Sequence, residues 1–156
     1  MKTHIIYTSY KGATKEIAHM IAERVPNSEL CNLMVDPIPL MSKEDCVILG
    51  SPLTAGKIFK EMATFARHNS EILAQMRLGL FLSGLDPSRE EKHFTNNFPV
   101  LLVASAKSKQ FLGGIYDPAK CSFFERLAMR MVPKITAYTN TIDPAKIDLF
   151  VKELTE

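Results

Sequence analysis

The regular alternation of strand-like and helix-like segments is the feature that most restricts how this chain can fold. Short apolar runs typical of buried strands occupy residues 2–8, 28–35, 46–50, 78–82 and 110–112. Apolar residues at helical spacing predict helices over residues 14–25, 57–67, 70–76 and 122–132, and from residue 143 onwards. This pattern predicts an α/β fold with a five-stranded parallel sheet covered on both faces.

The segment of residues 99–106 is compatible with two structures. Its length suits either a buried strand or the second half of a helix, and its β-branched residues favour the strand. The residues alone therefore leave this segment open.

The loop after the first strand has the chemistry of a phosphate site. It joins an apolar strand to an amphipathic helix through Ser9, Tyr10, Lys11, Gly12, Ala13 and Thr14. Backbone N–H groups, hydroxyls and the positive end of the helix dipole converge in such a loop, and Lys11 adds a full charge. The alternative is an ordinary strand-to-helix turn capped by Thr14.

Several classes of phosphate-handling protein are excluded by what these loops lack. There is no Gly-x-x-x-x-Gly-Lys-Ser/Thr loop of a nucleotide hydrolase and no Gly-x-Gly-x-x-Gly of a dinucleotide fold. No cysteine opens the first loop, as a low-molecular-weight phosphatase requires, and no aspartate ends the third strand, as a response-regulator receiver requires. What remains is a loop that binds one phosphate without transferring it.

Two further loops at the same edge of the sheet are suited to a flat ring. They consist of small and apolar residues, namely Pro52, Leu53, Thr54, Ala55 and Gly56 in one and Ser83, Gly84 and Leu85 in the other. Backbone groups there can hydrogen-bond ring heteroatoms, while Leu53 and Leu85 pack on the ring, although neither loop contains an aromatic residue. Each loop taken alone is equally compatible with a plain surface turn.

Composition limits the remaining function classes. The 156 residues suit one domain over residues 1–156, and the net charge of +2 gives no support for nucleic-acid binding. The 3 cysteines and 4 histidines lack metal-ligand spacing, so we expect no metal site. No apolar run is long enough to span a bilayer and the start does not resemble a secretion signal, so we expect a cytoplasmic protein.

The first loop and the third strand together resemble the flavodoxin-like family, which binds flavin mononucleotide (FMN). Residues 9–14 align with the family's Ser/Thr-x-Thr-Gly-x-Thr phosphate loop, with Lys11 in place of its usual threonine and Ala13 in place of a common asparagine. Residues 45–52 resemble its third strand and first ring-binding loop. Residues 111–114 and 122–126 are similar to the branch that includes menaquinone-dependent protoporphyrinogen IX dehydrogenase. The resemblance implies a three-layer α/β/α sandwich with strand order 2-1-3-4-5, a helix over residues 99–106 and FMN as cofactor.

Two functions follow from the resemblance. One is an FMN-dependent oxidoreductase, similar to protoporphyrinogen dehydrogenase, that passes electrons to a quinone or another acceptor. The alternative is a small electron-transfer flavodoxin without its own substrate. Carrier flavodoxins are usually acidic, so the charge of +2 favours a flavin enzyme or a carrier with atypical partners. A cofactor-free interaction domain is the third possibility, and the electron donor and acceptor stay unassigned.

The helix predicted over residues 122–132 has an apolar stripe with basic neighbours. Phe123, Phe124, Leu127 and Met131 form the stripe, and Arg126, Arg130 and Lys134 lie beside it. Such a helix suits peripheral contact with a membrane surface or a quinone. The alternative is a stripe that faces the core beside a solvated basic flank.

Overall fold

The fold is built on five parallel strands that the apolar runs predict. The structure is a computed structural model that describes residues 1–10, 12–131 and 137–156. The strands are β1 (Thr3–Tyr7), β2 (Ser28–Asn32), β3 (Cys46–Pro52), β4 (Arg77–Ser83) and β5 (Ser108–Phe111). They form one sheet in the order β2-β1-β3-β4-β5, with every neighbouring pair parallel. The predicted α/β fold and its strand order 2-1-3-4-5 are confirmed.

Helices cover both faces of this sheet. They are α1 (Ala13–Arg24), α2 (Lys60–His68), α3 (Ser70–Leu73), α4 (Glu90–Asn97), α5 (Val100–Ser105), α6 (Phe123–Met131) and α7 (Pro144–Thr155). Side chains alternate across the strands, so Ile48 of β3 packs with α1 and α7, whereas Leu49 packs with α2, α4 and α5. Each fully buried residue of this size stabilises the fold by roughly 1.5–3 kcal/mol. The three layers follow from these two apolar cores.

The sequence left the structure of residues 99–106 undecided, and this segment forms helix α5. Pro99 precedes the first residue of α5, and its carbonyl accepts hydrogen bonds from the N–H groups of Leu102 and Val103. Leu102 is fully buried, whereas Val100 is 83% exposed. One buried side chain on an otherwise accessible segment suits a surface helix better than a central strand, so the helix implied by the resemblance is confirmed.

Several element boundaries differ from the sequence prediction. Strand β3 continues through Pro52, and β4 continues through Ser83, so two residues predicted in loops end strands instead. Residues 33–45, all described, connect β2 to β3 without a helix. Helix α6 begins after Ser122, whose hydroxyl accepts from the N–H of Glu125, as the capping pattern predicts. The predicted end of this helix at Pro133 lies outside the described residues.

The chain between β5 and α7 makes an excursion that the sequence did not predict. It leaves and returns through a two-stranded antiparallel ribbon of β6 (Ile115–Tyr116) and β7 (Thr139–Asn140). A 3₁₀ turn over Pro118–Lys120 and helix α6 lie between these two strands. In the described ranges no helix has the length and apolarity needed to cross a bilayer.

Candidate functional site

The first loop opens α1 with a glycine and leaves free space beside it. Gly12 is the N-cap of α1 at φ 97°, and no side chain of a described residue caps the helix. A β-carbon built on Gly12 would meet no atom within 4 Å. The Gly12 N–H donates to the Ser9 hydroxyl at 3.2 Å. Lys11, predicted to add charge here, lies outside the described residues. This arrangement leaves an uncapped helix N-terminus beside an open space, which is a favourable environment for an anion.

Thr14 does not cap this helix, because it lies inside the first turn of α1 with its side chain buried. Its hydroxyl is 2.6 Å from the hydroxyl of Ser83, and both side chains are 1% exposed. One of the two hydroxyl groups donates its hydrogen in this bond and the other accepts it. The carboxyl end of β4 is thereby tied to the first turn of α1. Ala13, the residue between Gly12 and Thr14, is half-buried.

A second buried hydroxyl pair ties β1 to β3 directly beneath the loops. Thr8 donates to the Ser51 hydroxyl at 3.0 Å, and both residues are fully buried. The same Ser51 oxygen accepts from the N–H of Phe59 at 3.1 Å and donates to the carbonyl of Pro52 at 3.0 Å. Ser51 therefore fixes both ends of the loop that joins β3 to α2. The sequence signal for this pair was two hydroxyls at the ends of adjacent predicted strands.

The first predicted ring loop is a tight two-residue turn. Thr54 and Lys57 exchange backbone hydrogen bonds of 2.8 and 3.1 Å. Ala55 (φ 52°) and Gly56 (φ 78°) lie between them, both in the left-handed region. Two successive positive φ angles are the mark of a type I′ turn, which alanine adopts less readily than glycine. Residues 54–57 are exposed, so this turn presents its backbone to solvent at the carboxyl edge of the sheet.

Asn97 holds this turn in place, and sequence reasoning did not identify it. Its amide nitrogen donates to the carbonyls of Gly56 at 3.0 Å and His93 at 2.8 Å. Its amide oxygen accepts from the N–H of Ile58 at 3.0 Å. The side chain at the end of α4 thus bonds the turn on both sides of Lys57.

The second predicted ring loop is attached to its neighbours through backbone groups. Ser83 accepts from the N–H of Leu53 through its carbonyl at 2.9 Å, and Gly84 donates to the carbonyl of Gly113 at 3.0 Å. Leu53 and Leu85 are both half-buried. The structure therefore brings together the described members of all three predicted loops at one edge of the sheet. Pro52 and Ser83 belong to it as the last residues of β3 and β4.

An aromatic pair joins the first loop to the β3–α2 connection. The ring centroids of Tyr10 and Phe59 are 5.1 Å apart at an interplanar angle of 41°. Tyr10 is 72% exposed, and Phe59 is half-buried. The two ring loops contain no aromatic residue. Phe59 lies three positions after Gly56, the last residue of the first ring loop. Its position next to Tyr10 was not predictable from spacing.

A small pocket of about 120 Å³ lies beside Gly12. It is lined by the first turn of α1 and by the excursion after β5, through Gly12, Glu16, Ile115, Asp117, Lys120, Cys121 and Tyr138. Lys120 is a cation in this wall, whereas Glu16 and Asp117 are acidic. The excursion thus forms one side of the space next to the first loop.

The titratable groups at this edge do not form a catalytic cluster. Hydrogen bonds from Ser88 lower the pKa of the Asp86 carboxyl, helped by the nearby His93 and Arg89. Burial raises the pKa of the Tyr7 phenol, and the neighbouring Asp36 adds to the increase. Within the described ranges there is no group of three or more His, Cys, Asp or Glu side chains able to hold a metal ion. The described part of the site therefore consists of backbone groups, hydroxyls and apolar side chains.

Comparisons with known proteins agree with this architecture. Residues 4–143 match the model of the flavodoxin domain. Flavodoxin 1 from Bacillus cereus is similar in structure, with 16% identity, a TM-score of 0.56 and coverage of 99% of this chain and 97% of that one. A short-chain flavodoxin associated with a bacterial microcompartment has 16% identity, a TM-score of 0.57 and the same coverage. A flavodoxin from Streptococcus pneumoniae TIGR4 has 15% identity and a TM-score of 0.53, covering 99% and 98%. No curated protein matches the sequence.

Proposed function

The chain belongs to the flavodoxin-domain family, and from that premise we propose that it binds FMN at the carboxyl edge of its sheet and transfers electrons through the flavin. The observation that carries the proposal is the start of α1 at Gly12, uncapped by any described side chain and next to open space. A phosphate group satisfies helix N–H groups that otherwise bond to water, and the helix dipole favours its charge.

The residues around Gly12 fit the phosphate end of FMN. A side chain at position 12 would occupy the open space, whereas glycine leaves it to a ligand. The Ser9 hydroxyl, which already accepts from Gly12, retains its own O–H as a donor. The wall of the neighbouring pocket carries Lys120 together with the acidic Glu16 and Asp117, so the fit to phosphate depends on the N–H groups and dipole of α1. We propose that Gly12, Ala13 and the remainder of residues 9–14 surround the phosphate.

The two ring loops fit a flat, mostly apolar ring. Leu53 and Leu85 offer half-buried apolar surface, and the turn of residues 54–57 offers exposed backbone N–H and C=O groups. The loops are tied together before any ligand binds, through Ser51 and Ser83. Prior ordering of this kind lowers the entropy cost of binding. We propose that Pro52, Leu53, Thr54, Ala55, Gly56, Ser83, Gly84 and Leu85 form the ring site.

The chain's own part in electron transfer is to bind, orient and shield the cofactor. Bound FMN would supply the redox chemistry, since no described side chain at this edge is arranged as an acid, base or nucleophile. The loop contacts fix the orientation of the ring, and the half-buried leucines exclude water from its faces. The 3 free cysteines agree with a reducing, cytoplasmic setting, which we include in the proposal.

The second candidate is an oxidoreductase with a substrate of its own, similar to protoporphyrinogen dehydrogenase and using a quinone or another acceptor. The observation in its favour is the net charge of +2, which does not suit docking on basic patches of a reductase. Asp86 and Arg89 are exposed on the loop after β4, near the proposed ring site. Protoporphyrinogen-dependent reduction of the bound flavin would favour this candidate, and reduction only by a redox protein would favour a carrier.

The test compares the binding of FMN and riboflavin to the purified chain by flavin fluorescence quenching. We expect FMN to bind at least about tenfold more tightly, because a phosphate held by charge-assisted hydrogen bonds contributes about 1.5–3 kcal/mol. Gly12→Ala should remove this difference, because the methyl group fills the open space and alanine is strained at φ 97°.

The matched control is Asn27→Ala. Asn27 also has a positive φ (57°), but it follows α1 at the amino end of the sheet, where its carbonyl accepts from Thr3. This variant introduces a backbone change of the same kind far from the loops and should keep the preference for FMN. Equal binding of FMN and riboflavin, or an equal loss in both variants, would contradict the phosphate site.

A further inference from the structure

Helix α6 presents three residues of its apolar stripe to solvent. Phe123 is 66% exposed, Phe124 is 79% exposed and Leu127 is 42% exposed. The sequence favoured a stripe that faces the core, and for these three residues that interpretation is wrong. The predicted stripe also includes Met131, whose side chain is not described, and its predicted flank includes Lys134, which lies outside the described residues.

The exposed apolar residues of α6 lie together on one side of the helix. Among the described side chains of the helix only Met129 is half-buried, and the others are exposed. At about 100° per residue, Phe123, Leu127 and Phe124 fall within an arc of about 100°, and Met129 projects from the opposite side. The aromatic side of the helix is therefore turned outwards, and the less exposed Met129 lies on the other side.

Positive charges lie next to the aromatic side. Arg126 and Arg130 are exposed one turn apart on α6, and Lys120 is exposed just before the helix. Phe123 and Phe124 contact each other edge to face, with ring centroids 5.7 Å apart. The surface thus combines a pair of aromatic rings with three cations.

We propose that α6 lies in the headgroup region of an anionic lipid membrane. Phenylalanine and leucine on one side with arginine beside them is the composition of helices that bind in the plane of the interface. The positive charges of the arginines complement the negative charges of anionic headgroups. A single helix projecting its rings outwards is convex, which suits a deformable lipid layer better than a preformed protein groove. This inference does not depend on FMN. Cys121, in the wall of the pocket beside Gly12, lies two residues before α6.

The test measures co-sedimentation of the full chain with vesicles of POPC and POPG at 70:30, compared with pure POPC. We expect binding to the anionic vesicles that weakens with added salt, and at least tenfold weaker partition into pure POPC. Phe124→Ser and the double variant Arg126→Gln/Arg130→Gln should each lower anionic-vesicle partition at least tenfold. Leu40→Ser (Leu40 is 98% exposed) and Lys152→Gln are the controls, and they should leave it unchanged.

A tryptophan reporter gives a second readout, because the chain contains no tryptophan. Phe124→Trp should shift its fluorescence emission to the blue on addition of anionic vesicles, whereas Leu40→Trp should not. No partition into anionic vesicles, equal losses in test and control variants, or equal binding to pure POPC would overturn the proposal. A vesicle-independent dimer that Phe124→Ser abolishes, measured by light scattering, would overturn it in favour of a second copy of the chain.

Discussion

The Asn97 side chain is expected to hold the turn of residues 54–57 through hydrogen bonds that can be measured. In Asn97→Ala the N–H of Ile58, a residue only 8% exposed, loses its partner where water has little access, at a cost of about 1–3 kcal/mol. The carbonyls of Gly56 and His93 lose further bonds of 3.0 and 2.8 Å. Because these carbonyls can rebond to water, we assign them about 0.5 kcal/mol each. We therefore expect a loss of about 2–4 kcal/mol in the free energy of unfolding.

The assay is urea unfolding followed by far-ultraviolet circular dichroism, with Asn96→Ala as the control. Asn96 is the exposed neighbour on the same helix, so the change in helix propensity is nearly the same in both variants. Asn97→Asp keeps the acceptor for Ile58 and loses both donors, and it should fall between the two. Faster amide exchange at Ile58 in Asn97→Ala would localise the effect. A difference below about 0.5 kcal/mol between the two alanine variants would refute the reasoning.

Two further results are expected. In a double-mutant cycle of Thr14→Val and Ser83→Ala, urea unfolding should give a coupling energy of about 0.5–1.5 kcal/mol, and independent effects would contradict the buried bond. Hydrogen bonds from the Ser42 N–H and the His4 ring hold the pKa of Asp45 at about 2 in the folded chain, below its ordinary 3.8. As the pH falls, the Asp45 carboxylate is protonated in the unfolded chain before it is protonated in the folded chain. The stability that Asp45 contributes is therefore present above about pH 4 and is lost as the pH falls towards 2. Asp45→Asn should flatten this part of the profile of unfolding free energy against pH, and parallel profiles for the two proteins would contradict it.

The sheet was predictable because its strands are buried on both faces. Residues 46–50 contain no charged side chain, which marks a central parallel strand, and they form most of β3. The two-residue strands β6 and β7 were not predictable, since such short segments have no periodicity. Their pairing depends on chain closure around the excursion rather than on local pattern.

The candidate site was predictable only where its residues are close together in the sequence. Ser9, Gly12 and Thr14 are neighbours, so the first loop was evident as a unit. Asn97 acts on Gly56 across 41 residues, and no local signal links the two. The direction of the Thr14 hydroxyl was also unavailable, because it depends on Ser83, 69 residues away. The amphipathic pattern of α6 was evident in the sequence, but only the structure showed that three residues of its apolar stripe face solvent and not the core.

The two ends of the excursion after β5 are held together by the pairing of β6 with β7, so the segment between them can be exchanged as a unit. Register pairing in the β6–β7 ribbon sets Tyr116 beside Thr139, so the chain departs and returns at adjacent points. Below the ribbon, Gly113 lies so close to the Thr141 carbonyl that any side chain would collide with it. Selection can therefore lengthen, shorten or replace residues 117–138 without disturbing the sheet, provided that the glycine anchor is kept. The sheet can therefore stay the same while α6 changes, but changes at Asp117, Lys120 or Cys121 would also alter the wall of the pocket beside Gly12.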